Sequence, residues 1–187
     1  FPYASRVVMA DGIGQVNFFS SIISYISLFT CLGIPMYAIR EIARVRDDKK
    51  KLSTITTEIL LLHTGLTILG YFAVVVLCMT ITKVKADIPL FLLLSTNIFF
   101  VAIGCEWFYQ GVEDFKYITI RGLIVKVVSV ILLFVLVRTK DDLMYYAAYS
   151  VIGVVGGNVF NFIRLRKYIR IRLLQFSELR SLRHLKP

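Results

Sequence analysis

Five ionisable side chains stand inside or at the edges of long apolar runs: Glu58, His63, Glu106, Arg121 and Lys126. Such groups are costly in hydrocarbon, so each needs a partner, water or a ligand. Lys126 lies more than a turn past Arg121, and at ~1.5 Å per residue its backbone is carried into the apolar layer. A cation held there implies a cavity, a carboxylate partner such as Glu106, or an anionic ligand. For Glu58 and Arg121 the competing reading is snorkelling to the interface, and for His63 it is a buried hydrogen bond in place of proton carriage. Soluble-type active sites are missing from the sequence. It has no Gly-rich phosphate loop, no H-E-x-x-H and no nucleophile elbow, and its two histidines, His63 and His184, are far apart. No catalytic residue, metal ligand set or cofactor is expected. Cys31, Cys78 and Cys105, odd in number and without ligand spacing, read as small packing residues.

Small and polar residues mark two helix faces. Asn17, Ser20, Ser24, Ser27 and Cys31 recur at steps of three and four and lead to Pro35; Tyr146, Ser150, Gly153, Gly157 and Asn161 do the same, with a G-x-x-x-G at Gly153 and Gly157. Close helix packing explains such stripes. Lining of a hydrated cavity is the alternative, and periodicity alone leaves both open.

The elements that must position these residues are membrane spans. The chain is 57% hydrophobic and 18% charged, with mean hydropathy +0.74. Its apolar residues come in blocks of about 20, the length that crosses a bilayer core. The expected fold is an all-α polytopic membrane protein with spans near 16–39, 59–81, 88–109, 117–137 and 143–163. Residues 1–8 read as the tail of an earlier helix. Lys and Arg resist translocation, and they cluster in alternate loops. Residues 40–51 hold six, Lys116 and Arg121 follow, and residues 164–186 hold eight. The opposite side has Arg6, Lys83, Lys85, Arg138 and Lys140. Residues 40–54, 110–121 and 164–187 are therefore expected to be cytoplasmic. The net charge of +10 becomes a topology signal plus affinity for anionic inner-leaflet lipid, with no need of nucleic acid. The closing segment, 164–187, alternates basic and apolar residues like an amphipathic helix on that leaflet. In "EWFYQGVEDFKYITIR", residues 106–121, Trp107 and Tyr109 suit the interfacial belt, and Gly111 is expected to permit the turn.

"PYASRVVMADGIGQVNFFSSIISYISLFTCLGIPMYAIREIARVRDD", the stretch 106–121 and the closing "HLKP" resemble the polysaccharide-biosynthesis flippases. These are the Wzx-type O-antigen transporters of the superfamily that also holds the MATE exporters. The resemblance covers essentially the whole chain. It implies two helical lobes around a cavity that opens alternately to each side, with residues 1–163 as the N-terminal lobe and 164–187 as a connector to a second lobe. It also implies a polyprenyl-diphosphate-linked oligosaccharide substrate, lipid partners and polysaccharide polymerase machinery. Under that resemblance Arg121 and Lys126 are candidates to attract the diphosphate. Glu58, His63 and Glu106 are candidates to couple an ion gradient or to hold those cations when substrate is absent. At less than half the family's usual length, this chain alone is not expected to transport. A drug or metabolite antiporter of the same superfamily, and a non-transporting remnant or scaffold, are the alternatives.

Overall fold

The structure is a computed structural model that describes residues 2–139 and 142–169. Among the described residues the secondary structure is helical, and five helical segments are long and apolar enough to cross a membrane. Helix α1 is Pro2–Val7 and α2 is Met9–Cys31. The first apolar run, expected over 16–39, begins earlier and breaks sooner. Leu32 (φ 36°) and Gly33 (φ 75°) are both left-handed and stop α2. Pro35 then occupies the first turn of α3, Ile34–Val45, where its missing N–H costs nothing. Helix α3 buries Ile34, Ala38 and Ile42 and exposes Met36, Arg40 and Arg44.

Helix α4, Lys49–Thr80, starts well before the apolar stretch expected at 59–81 because Asp48 caps it, accepting from the N–H groups of Lys50 and Lys51. Its 32 residues run to roughly 48 Å, longer than a ~30 Å hydrocarbon core. Helix α5 is Thr82–Ala86, and Asp87 caps α6, Ile88–Gly104, by accepting from Leu90 N. The span expected to continue to 109 is interrupted at Cys105 (φ 47°), and α7, Glu106–Gly111, completes the same membrane-length segment. Helix α8 is Phe115–Leu136, capped by Asp114, and α9 is Leu143–Tyr168. Residues 170–187, most of the expected basic connector, lie outside the described residues.

Gly111 has a different use from the one its type suggests. The positive φ of that turn falls on Glu113 (61°). A β-carbon on Gly111 would come within 2.6 Å of the Ile42 side chain and 3.1 Å of the Ile39 carbonyl, so glycine lets α7 lie against α3. Two buried clusters hold the helices together. One gathers Phe19, Phe91, Leu94, Ile98 and Ala147; the other joins Ala38, Ile42, Ile59, Phe108, Tyr109 and Leu165. Outward, Tyr25, Leu28, Phe29, Ile68, Leu69, Phe72, Ile124 and Ile131 are exposed. That pattern fits hydrocarbon as the surrounding solvent.

Candidate functional site

The break at Cys105 builds the site. A left-handed residue ends the helical ladder and leaves the Gly104 carbonyl without its helical donor. The Asn161 side chain, on α9, supplies one: its Nδ2 donates to Gly104 O at 2.6 Å. Tyr109 OH in turn donates to the main-chain carbonyl of Asn161 at 2.6 Å, tying α7 to the same helix. The approach of α6 to α9 is close enough that a β-carbon on Gly104 would meet the Asn158 side chain. Beyond the break, the first turn of α7 carries Glu106 and Trp107 to the wall of a cavity of about 380 Å³.

Helices α8 and α9 supply the facing wall. Arg121, whose side chain is only 9% exposed, donates from Nη1 to Gly157 O at 3.0 Å and from Nη2 to Glu106 Oε2 at 3.1 Å. Glycine at 157 leaves that carbonyl uncovered; a β-carbon there would already stand 3.5 Å from the guanidinium carbon. The Nε of Arg121 is buried and, among the described residues, has no acceptor. Lys126 also lines the cavity and is an exposed residue. Among the described residues no carboxylate pairs with Lys126, and Glu106, the partner considered for it, is engaged by Arg121.

His63 lines the cavity from α4 and is 2% exposed; its Nε2 lies 3.7 Å from Cys31 Sγ, and its Nδ1 has no partner among the described residues. Glu58 is buried on the same helix but does not line the cavity. The two stripes behave differently. Gly153 and Gly157 line the cavity and Asn161 secures the break. Asn17, Ser20, Ser24 and Ser27 do not reach the lining, whereas Cys31 and Pro35, where that stripe leads, do. Asn17 and Ser24 are exposed.

Several residues play parts their types did not announce. Trp107 and Tyr109 are not interfacial anchors: they are 4% and 0% exposed, and Trp107 lines the cavity. Gln110 and Asn158 add two amides to the lining. Cys105 carries the left-handed backbone of the break, a role beyond packing. Among the described residues no three or more His, Cys, Asp or Glu side chains gather as a metal ligand set. At the basic-rich end, Asp114 accepts from Arg164 (2.6 Å) and Tyr168 OH (3.2 Å), Arg164 stacks 3.9 Å over the Tyr117 ring, and Arg46 pairs with Glu113 at 2.8 Å. These contacts fasten the α7–α8 turn to the ends of α3 and α9.

Comparison with known proteins bears on the whole of this arrangement. A family model described as "Polysaccharide biosynthesis protein" matches residues 1–185. A relative from Shigella dysenteriae named "Putative O-antigen transporter" is 24% identical over 168 residues, which are 89% of this chain and 41% of that protein. A second of the same name, from Escherichia coli (strain K12), is 21% identical over 143 residues, 76% of this chain and 34% of that protein. The chain thus spans well under half the length of the curated relatives it matches. No solved structure matches it.

Proposed function

The chain belongs to the polysaccharide biosynthesis protein family, and from that premise we propose a flippase function for the whole protein. It is a multi-pass protein of the bacterial inner membrane. Its substrate is a polyprenyl-diphosphate-linked oligosaccharide, moved from the inner to the outer leaflet. On this reading it is a transporter and not an enzyme, and residues 1–163 form one lobe of a two-lobe carrier that works by alternating access.

The physical problem is a very polar head on a long apolar tail. The hydrocarbon core opposes passage of the head, because stripping water from phosphate and sugar hydroxyls without replacement is costly. A cavity with fixed cations replaces part of that hydration while the tail stays in lipid. The observation that carries the reading is the pair of cavity cations in different states. Arg121 is held by Glu106 and the Gly157 carbonyl, whereas Lys126 has no carboxylate partner among the described residues. Lys126 attracts the diphosphate first; Arg121 exchanges Glu106 for phosphate. Basic residues 40–51 draw anionic lipid to the inner leaflet side, and polymerase machinery receives the flipped unit.

The test replaces Lys126 by Ala and by Glu in the full-length protein, in cells lacking their own flippase, and measures surface polysaccharide at matched expression. Loss of a charged interaction worth about 1.5–3 kcal/mol predicts a fall of roughly tenfold or more for Lys126→Ala, and a larger one for Lys126→Glu. Full restoration by both variants sinks the cationic-cavity reading at this position.

A further inference from the structure

We infer that His63 and Trp107 are neutral N–H donors to a phosphoryl oxyanion taken up in the cavity, beside the cations Arg121 and Lys126. The inference rests on the flippase reading above for the source of the oxyanion and adds groups that hold it. Three cavity-lining side chains carry a buried nitrogen without a hydrogen-bond partner among the described residues: His63 Nδ1 on α4, Trp107 Nε1 on α7 and Arg121 Nε on α8. His63 and Trp107 are 2% and 4% exposed, so bulk water does not serve them. Buried polar groups are nearly always satisfied, and leaving one unpaired destabilises the fold.

Chemistry fixes the sign of two of the three, because indole and guanidinium nitrogens donate and never accept. The histidine is settled by its neighbour. Its Nε2 lies 3.7 Å from Cys31 Sγ. Neutral imidazole nitrogen accepts well and sulfur only weakly, so the better arrangement has the thiol S–H donating to Nε2. Ser27, one turn earlier on α2, also hydrogen-bonds Cys31. Its hydroxyl, donating to the sulfur, leaves the S–H for the ring. With Nε2 accepting, the proton of the neutral ring sits on Nδ1. Cys31 is then a positioning residue that acts through the histidine by fixing its tautomer.

All three orphans are therefore donors, and they come from three helices. What satisfies them is an acceptor. Glu106, the carboxylate of the lining, already accepts from Arg121 Nη2. A phosphoryl group offers several oxygens to donors on different sides and carries the charge that Arg121 and Lys126 attract. The neutral donors add hydrogen bonds without adding charge, which suits an anion that must also leave. The three nitrogens are covered in this structure, so uptake turns these side chains toward the ligand. The stability forfeited by the orphans is recovered in the loaded state.

The experiment uses full-length protein in detergent with ¹⁵N-labelled tryptophan and histidine, titrated with inorganic diphosphate in one arm and polyprenyl diphosphate in the other. The Trp107 indole signal is identified by its absence in Trp107→Phe, and the His63 signals by their absence in His63→Asn. Both are expected to move, with the His63 ring in its Nδ1–H form. Movement with inorganic diphosphate assigns the site to the oxyanion itself; movement with polyprenyl diphosphate alone assigns it to the lipid headgroup. A glutamine amide reaches the Nε2 position and an asparagine amide the Nδ1 position. His63→Gln and Trp107→Phe are therefore each expected to weaken binding about tenfold, and His63→Asn less than about threefold. In Cys31→Ala the His63 ring is expected to lose its single tautomer, and an unchanged tautomer overturns the role of Cys31. Saturable binding that weakens in Lys126→Ala but leaves the wild-type Trp107 and His63 signals unmoved overturns the inference and leaves the flippase reading standing. Absence of saturable binding in both arms overturns it too, and the reading is then judged separately by surface polysaccharide in the Lys126 variants. Should one variant fail to fold, the other residue's signal carries the same titration.

Discussion

Replacing Gly104 by Ala tests whether the α6–α9 approach holds the site together. A β-carbon there would stand 3.0 Å from the Asn158 β-carbon and closer still to its amide, where ordinary contact begins at about 3.4 Å. The amide can turn away, but the β-carbon moves only with α9. The helices must therefore part by a few tenths of an ångström. Overpacking of this kind costs about 1–3 kcal/mol. Alanine recovers up to about 1 kcal/mol of helix propensity over glycine, less at the last residue of a helix. The expected net loss is about 1–2 kcal/mol, a fall in melting temperature of about 2–4 °C per kcal/mol for a domain of this size.

The same parting stretches the 2.6 Å bond from Asn161 to Gly104 O, the bond that secures the break and so aims Glu106 at Arg121. Surface polysaccharide made by the full-length variant should fall together with its stability. Asn158→Gly removes the obstacle at a propensity cost of about 0.2–0.5 kcal/mol. The double variant should then melt close to Asn158→Gly alone, a coupling of about 1–2 kcal/mol. Thermal melting of the four proteins in one detergent gives the cycle. If the two substitutions add within about 0.5 kcal/mol, contact with Asn158 is not what excludes a side chain at 104.

Asn161→Leu keeps the number and branching of the side-chain heavy atoms but strips the Gly104 carbonyl of its donor; interhelical bonds of this kind in membranes average about 0.6 kcal/mol and reach about 1.7. The loss should sit near the upper value because Asn161 is 0% exposed and no water replaces it, and a melt unchanged within error refutes that. Arg164→Lys keeps the charge facing Asp114 but loses the stacking on Tyr117, and about 0.5–1 kcal/mol is expected from melting; equality with wild type, while Arg164→Met is weaker, reduces the contact to charge alone. The N–H groups of Arg138 and then Thr139 hold the Asp142 carboxyl below the usual carboxylate range. A depressed folded value means that its contribution is present above the unfolded pKa of about 3.9 and is lost as pH falls through the folded one. Amide protection of Arg138 and Thr139 should therefore decline below about pH 4 in the wild type and become insensitive to pH in Asp142→Asn.

Where the sequence is legible, it is because length and hydropathy act over twenty residues at once. The five apolar runs need no knowledge of packing. The breaks are local and less visible. Gly33 and Pro35 signal the first, yet the apolar residues around them continue the run and conceal it. Cys105 gives no signal, since nothing in its side chain disfavours a helix more than its neighbours do. Once the ladder breaks there, helical phase restarts, so Trp107 and Tyr109 turn inward although their residue types suit the interfacial belt. The stripe of Asn17, Ser20, Ser24 and Ser27 lies outside the lining of this cavity, and its periodicity could not have said so. Periodicity establishes that residues share a face and is silent on which neighbour that face meets.

The break also settles how the two cavity cations can differ. An ion pair with one half-exposed member is worth about 1 kcal/mol or less, and Glu106 is 47% exposed against 9% for Arg121. A charge-assisted hydrogen bond to phosphate is worth about 1.5–3 kcal/mol, and the diphosphate as a whole carries more charge than a carboxylate. On the flippase reading proposed above, the exchange at Arg121 therefore favours phosphate, and the displaced Glu106 is hydrated where it already meets solvent. The guanidinium never stands uncompensated in a low-dielectric wall. Had Glu106 been the buried member instead, its release would have stranded a carboxylate at a cost of several kcal/mol, and the same pair would have locked the cavity against an anion.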